Sequence, residues 1–177
     1  MMAFLKNRTA ACLLTALLIA AGIFTGSQTT YFQLRRPVVQ AFNDEIVPLL
    51  NEQIQMVYNM QTIYELNGGQ VMNERVLNQI ELLRRDMNRI HNTDTHSSSL
   101  YTIADDIFQA AGGLNLNEND ARFMRGFMSD LTEMQMILRQ SQYNRLAADF
   151  NNAAENGLGL LTGTWRLFPQ FGVQTGD

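Results

Sequence analysis

The stretch QYNRLAADFN, residues 142–151, decides the fold of this chain. It holds two aromatic residues seven positions apart, Tyr143 and Phe150, and each is followed by an asparagine, Asn144 or Asn151. At about 100° per residue, positions seven apart fall within roughly 20° of the same face of an α-helix. The stretch therefore predicts a helix with an aromatic seam in the core and an asparagine ladder at the edge of that seam.

The helix around this stretch is expected to run over residues 118–156. Asparagine and acidic side chains at 115–120 are typical of a helix start, because they cap free N–H groups and suit the helix dipole. An unbroken helix of this length would measure about 58 Å, which is longer than is common in globular domains. Its apolar stripe changes phase just before Tyr143, and this predicts a bend at 140–142. The stripe consists of Met124, Phe127, Leu131, Met134 and Leu138.

Composition places the chain in the all-α class. Its 177 residues include only 3 prolines and few runs of β-branched residues, which favours helices over strands. We expect a membrane segment with a joint at 1–30, one helical bundle domain at 31–156 and an apolar tail at 157–177. The predicted fold is thus an N-terminal membrane helix followed by an antiparallel helical bundle whose first and last helices are long.

The first domain helix is predicted at 31–66, after a polar joint at 27–30. Its apolar residues recur at spacings of three and four, as on a buried helix face. Proline removes an amide donor and disfavours a helical residue before it. We therefore expect either a kink near Pro48 or a helix that starts only after Pro37.

Two further helices are predicted before the last one. The second domain helix covers about 70–91, and a polar loop follows at 91–99, in which a serine is expected to cap the next helix. A short helix at 100–111 then ends at Gly112 and Gly113.

The N-terminal leader has the pattern of a membrane segment. Lys6 and Arg8 precede residues 9–26, a run without a charged side chain. Its length lies between that of a signal peptide and that of a spanning helix. Ala20 and Gly22 offer a small-x-small cleavage site, but the apolar run continues past it, so we favour an uncleaved signal-anchor. Positive charge before the run predicts a cytoplasmic N-terminus and an extracytoplasmic domain in a single-pass cell-membrane protein.

Small residues in the leader allow self-association. Gly22 and Gly26 form a G-x-x-x-G pair, through which two membrane helices approach closely, although chance is the favoured explanation in a run this rich in small residues. A homo-oligomer stays open as an alternative. Cys12 is the only cysteine, so an intrachain disulfide is excluded and the domain has no cysteine nucleophile.

Several motifs resemble the LemA family. A Tyr-Asn pair followed after five residues by Phe-Asn, with an aspartate before the phenylalanine, looks like the signature in the last long helix of LemA proteins. The apolar, glycine-containing tail and the first domain helix are similar to the family more loosely. These motifs are Tyr143-Asn144, Asp149-Phe150-Asn151, residues 160–163, Phe168-Pro169, Phe171-Gly172, Arg35-Arg36 and residues 46–50. The resemblance implies a membrane-anchored bacterial helical bundle, in a family whose biochemical role is poorly defined.

Charge and motif spacing disfavour nucleic-acid binding and catalysis. Beyond the leader, 11 arginines face 17 acidic residues, without a basic cluster that would neutralise phosphates. His91 and His96 are five apart, which is not the spacing of a helical metal pair. Glycines at 157, 159 and 163 follow a helix instead of a strand, unlike a dinucleotide loop. The acidic pair Asp105-Asp106 suits a solvated helix face. We therefore expect no catalytic residue, no metal and no cofactor.

The 10 methionines have two interpretations. Met124 with Met128, and Met134 with Met136, are soft ligands that suit copper or, with a histidine, haem iron. Thioethers also fill irregular gaps in helical cores, and this second interpretation is favoured.

The C-terminal tail is too apolar for a disordered terminus. We favour packing of the tail onto the bundle. The alternatives are that it lies on the membrane surface or binds a protein partner. Its apolar residues are Leu158, Leu160, Leu161, Trp165, Leu167, Phe168 and Phe171.

These observations favour a membrane-anchored, extracytoplasmic helical-bundle protein that is not an enzyme. It would act as a scaffold or interaction protein whose apolar seams bind its own helices or those of an unknown protein partner. The alternative is an exported bundle that holds a haem, a metal or a small apolar molecule between its helices. A sensor that passes a signal through the anchor is a third hypothesis, motivated by the topology.

Overall fold

The computed structural model describes residues 8–70, 73–156 and 165–172. Within these ranges the chain is helical and contains no strand, which confirms the predicted all-α class. A short π-helical segment, Phe42–Ile46, joins the first two helices without a break. The helices are α1 (Arg8–Ala41), α2 (Val47–Leu66), α3 (Asn73–Met87), α4 (Thr93–Ala111), α5 (Glu118–Gln140) and α6 (Gln142–Asn156).

The first helix runs through the predicted joint at 27–30. A separate helix starting near residue 31 was expected, and this prediction is wrong because the polar residues of the joint are satisfied inside the helix. The hydroxyl of Thr29 donates to the carbonyl of Thr25 at 3.0 Å, and that of Thr30 donates to Gly26 at 3.0 Å. Such back-bonding satisfies both hydroxyls inside a continuous helix.

The π-helical segment lies directly before the turn that contains Pro48. A proline ring collides with the carbonyl four residues before it and offers no N–H of its own. In the π-helical segment the N–H of Val47 instead donates to the carbonyl of Phe42, five residues back. Where a kink near Pro48 was predicted, the structure has a π turn in a helix that continues without a break. The alternative start after Pro37 is wrong, since Pro37 lies inside α1.

The core lies between α2, α3, α4 and α5, which pack together, while α6 packs against α1 and the π-helical segment. Each of the four bundle helices contributes fully buried aliphatic side chains, such as Leu50, Val76, Leu100 and Leu131. Burial of such residues supplies about 1.5–3 kcal/mol each before the entropy cost of folding.

The methionines divide between core and surface. Met124 and Met134 are buried in the bundle, which confirms the core interpretation for these two. Met128 packs partly buried against the core, whereas Met136 is 52% exposed.

The connection between α3 and α4 is shorter than predicted. Residues 91–99 were expected to form a loop with a serine cap, but α4 begins at Thr93 and its N-cap, Asn92, makes no side-chain capping bond. The serines are instead used within the helix. Ser99 donates to the carbonyl of Thr95 at 2.9 Å, and Ser97 faces the core, where it is fully buried.

A buried polar network fixes the register of α2, α4 and α5. The side-chain amide of Gln53 donates to the carbonyl of Ser97 at 2.8 Å, while the Ser97 hydroxyl donates to Gln53 Oε1 at 2.7 Å. Gln135 of α5 donates to the same hydroxyl at 3.2 Å. Because a buried polar group without a partner is costly, the three helices are held at one relative height.

We expect Gln53→Ala to lower the free energy of unfolding by about 2 kcal/mol, because Ser97 would lose both of its hydrogen bonds to Gln53. Urea denaturation followed by circular dichroism measures this. Gln55→Ala is the matched control, since Gln55 is exposed on the same helix. Equal stability of the two variants would contradict a role for the network.

Candidate functional site

Helix α6 is positioned by a break in the predicted last helix. Ser141 leaves helical conformation, with φ −60° and ψ 151°, which confirms the bend predicted at 140–142. Its hydroxyl donates to the carbonyl of Leu138 at 2.8 Å and accepts from the N–H of Asn144 at 3.3 Å. Glu45 of the π-helical segment accepts from the N–H of Tyr143 at 3.3 Å, so the start of α6 is tied to the first helix.

The aromatic seam of α6 is buried as predicted. Tyr143 and Phe150 are both fully buried. Tyr143 packs edge-on against Phe42, with ring centroids 5.3 Å apart, and Phe150 packs edge-on against Tyr31 at 5.8 Å. These aromatic contacts join α6 to the first helix.

The asparagine ladder binds the C-terminal tail. The side-chain amide of Asn151 donates to the carbonyl of Phe168 and accepts from its N–H, both at 2.8 Å. Asn144 makes the same pair of bonds to Phe171, both at 2.9 Å. Each asparagine therefore satisfies both main-chain groups of one tail residue. We call these two paired contacts the asparagine clamp.

The spacing of the clamp matches an extended chain. Seven helical residues separate the two asparagines, a rise of about 10.5 Å. Three extended residues separate Phe168 from Phe171, a span of roughly 9–10 Å. The two intervals therefore agree for a segment that is in neither a helix nor a strand, as residues 165–170 are.

Three aromatic side chains of the tail cover the seam. Trp165 stacks on Phe150, with ring centroids 5.4 Å apart, and Phe168 meets the same ring edge-on at 4.8 Å. Phe171 packs on Tyr143 at 6.0 Å. Tail packing on the bundle is thus confirmed for residues 165–172. Three other apolar residues of the predicted tail lie outside the described residues: Leu158, Leu160 and Leu161.

Tyr143 adds a third polar contact to the clamp. Its hydroxyl donates to the carbonyl of Pro169 at 2.8 Å. Burial raises the pKa of the Tyr143 phenol above its ordinary value, and the carboxylate of Asp94 raises it further. The phenol therefore keeps its proton at physiological pH and always acts as a donor to the tail.

The tail requires glycine at position 172. Gly172 has φ +74°, a left-handed conformation that side chains rarely adopt, and a Cβ there would collide with the side chain of Arg139. The amide of Asn144 also donates to the carbonyl of Arg139 at 2.9 Å. The clamp and the break after α5 are thus parts of one arrangement.

One of the two histidines and one carboxylate of the Asp105-Asp106 pair lie in structural pairs. Nε2 of His96 lies 3.3 Å from Oδ2 of the buried Asp86. Asp106 bonds to Arg75 at 3.2 Å on the surface. His91 is exposed, and the part of the chain that the structure describes contains no group of three or more His, Cys, Asp or Glu arranged to hold a metal. The glycines at 157, 159 and 163 lie outside the described residues.

Sequence reasoning predicted where the ladder would lie but did not identify the tail as its partner. The spacing of Trp165, Phe168 and Phe171, three apart in an extended segment, was a usable signal. It matches the seven-residue spacing of the two asparagines on a helix.

We expect Asn144→Ala combined with Asn151→Ala to release the tail and to lower the free energy of unfolding by about 2 kcal/mol or more, because four hydrogen bonds to the tail main chain are lost. Trp165 is the only tryptophan, so its fluorescence emission reports release as a shift to longer wavelength. Asn152→Ala, an exposed change on the same helix, is the control. Unchanged emission in the double variant would show that the clamp does not hold the tail.

Tyr143→Phe should be less stable than the wild type by about 1 kcal/mol at about pH 8, because the bond to Pro169 is lost. A folded-state pKa raised above the ordinary value of 10.0 gives stability that is present below that pH and is lost above it. The difference should therefore shrink at about pH 11, since phenylalanine does not ionise. Urea midpoints at both pH values measure it, with exposed Tyr58→Phe as control. A difference independent of pH would rule out this role for Tyr143.

Comparison with known proteins adds no assignment. No family model, no curated protein and no solved structure matches this chain. The function of the chain is therefore inferred from its sequence and from the contacts of the described residues.

Proposed function

We propose that this protein is a membrane-anchored, extracytoplasmic scaffold or interaction protein without catalytic activity. One observation carries the proposal: the first helix leads from an exposed apolar segment into the bundle core without a break. By length and composition this helix is able to cross a membrane.

Exposure along α1 supports membrane insertion. Large apolar side chains at 13–24 are 46–67% exposed, and they surround the helix instead of forming one stripe. Exposure of such an apolar surface to water is unfavourable, whereas its contact with lipid hydrocarbon is favourable. The hydroxyls of Thr15 and Thr25 donate to carbonyls one turn back, at 2.9 and 2.8 Å, so they need no water.

The use of charged groups supports a structural role. Asp86 is paired with His96, and Asp106 is paired with Arg75. Asp120 accepts from Asn67 at 2.9 Å and thereby joins the end of α2 to the start of α5. Glu45 binds the start of α6. Asp86, Asp120 and Glu45 thus join helices, and the Asp106–Arg75 pair is a surface contact.

Continuity of the first helix supports a scaffold that is held at a fixed height. From Arg8 to Leu66 the α and π turns span roughly 85–90 Å. A bundle carried on such a rod stands at a defined distance from the bilayer. The sensor hypothesis uses the same rod, because a rigid helix transmits displacement.

The resemblance to the LemA family is part of this proposal. It rests on Tyr143-Asn144 and Phe150-Asn151, the residues that bury the seam and bind the tail. In this chain those motif residues have a packing and binding role, which suits a family of anchored helical bundles.

Fractionation of cells that express the full chain tests the anchor. We expect the protein in the membrane fraction after alkaline carbonate washing, because a spanning helix resists extraction that removes peripheral proteins. A reporter fused at the C-terminus should be active only on the extracytoplasmic side. Release by carbonate, or a cytoplasmic reporter, would refute the proposed anchoring or the proposed topology, respectively.

A visible absorption spectrum and metal analysis of the purified protein separate the scaffold from the ligand-binding alternative. We expect neither a chromophore nor a stoichiometric metal, since the paired residues already satisfy one another. A stoichiometric haem or copper would overturn the scaffold proposal in favour of the ligand-binding bundle.

A further inference from the structure

We propose that the surface of α6 formed by the asparagine clamp and the aromatic seam is a peptide-binding site that accepts the tail of a second copy of this chain. Residues 165–172 of one copy would lie on α6 of its neighbour with the contacts they make within one copy. The proposal deepens the proposed function and rests on it in one respect, namely that a membrane brings the copies together.

The chemistry of the site selects extended peptides with regularly spaced aromatic residues. The clamp bonds to the N–H and carbonyl of Phe168 and of Phe171, and Tyr143 bonds to the carbonyl of Pro169. Inside a helix the backbone N–H and carbonyl groups are already hydrogen-bonded to each other. Only an extended chain has these groups free to bond to the clamp. Pro169 keeps the segment extended, because its φ is fixed and it disfavours a helical residue before it.

The ligand is contained in one short segment. Residues 165–171 supply the three aromatic contacts to the seam and the five hydrogen bonds to Asn144, Asn151 and Tyr143. The covalent link from this segment to α6 is residues 157–164, a length of chain that spans at most about 30 Å. A tail from an adjacent copy would therefore make the same bonds, and such exchange of an identical element is an established route to dimers.

Membrane anchoring would favour the exchange. Copies inserted in one bilayer share an orientation, so their α6 helices stand at the same height. The ring centroids of Trp165 and Tyr31 lie 5.3 Å apart. Tyr31 is only five residues beyond Gly26. Gly22 and Gly26 have open space around them, which leaves room for a second helix. Confinement then raises the effective concentration of the neighbouring tail.

Two complementary variants test the exchange. Asn144→Ala with Asn151→Ala loses the clamp but still donates an intact tail, whereas Phe168→Ala with Phe171→Ala keeps the clamp but has a tail that lacks two of its three aromatic contacts. Each full-length variant is purified in detergent and studied alone and in an equimolar mixture by analytical ultracentrifugation. We expect each variant alone to be monomeric and the mixture to form a 1:1 dimer. Asn152→Ala in place of the clamp variant is the control, and it should form much less dimer because its own tail occupies its clamp.

A synthetic peptide with the sequence WRLFPQFG, residues 165–172, tests the site without a second copy. The labelled peptide should bind the Phe168→Ala, Phe171→Ala variant. Addition of Asn144→Ala and Asn151→Ala should weaken that binding about a hundredfold, since each paired contact contributes roughly tenfold. Phe168→Leu with Phe171→Leu replaces the alanine variant where the latter fails to fold.

The outcomes are distinct. Peptide binding without dimer in the mixture would overturn exchange between copies. Absence of peptide binding, or binding that does not depend on the asparagines, would overturn the site itself. Both measurements are made in detergent, so they do not depend on the fractionation and reporter results that test the proposed function.

Discussion

Side-chain amides bonded to an extended main chain are the constraint on which this end of the molecule depends. Tyr143 and Phe150 face the first helix on one side and the tail on the other. Without the tail, part of this aromatic surface would meet water. Asn144 and Asn151 prevent that by binding main chain, whose geometry is the same for every residue, while the aromatic rings provide most of the apolar burial. The polar bonds set the register and the rings supply the affinity.

The same division of roles recurs inside the bundle. Gln53 bonds to both a main-chain and a side-chain oxygen of Ser97, as Asn144 and Asn151 bond to the tail. In both places an amide side chain satisfies two groups of one residue and thereby fixes a height along a helix. Aliphatic packing around Gln53 tolerates small shifts, but a pair of hydrogen bonds does not. The heights of the helices and of the tail relative to one another are therefore set by a few side-chain amides, and the apolar contacts around them tolerate small shifts.

Much of the fold followed from periodicity, because the burial of a helix face is a local property of the sequence. The bend before α6 was visible as a phase change, and the aromatic seam as a seven-residue repeat. Three features were not accessible in that way. Ser97 is polar, so the sequence predicts a loop there. Its partner Gln53 lies on another helix and is found only in the folded structure. Residues 27–30 suggest a joint unless their hydroxyls bond back to the helix. The partner of the asparagine ladder lies 17 to 27 positions away, beyond the reach of helical periodicity.

The π turn at Phe42–Ile46 has a consequence for the geometry of the whole rod. One extra residue in a turn advances the helix by about 100°, so the faces of α1 and α2 are out of phase although the chain never leaves the helix. Before the π turn the rod packs against α6, and after it the rod packs against α4 and α5. The π turn before Pro48 thus rotates the bundle about the helix axis relative to the anchor. This single turn of the first helix therefore sets the direction in which the bundle faces around the helix axis.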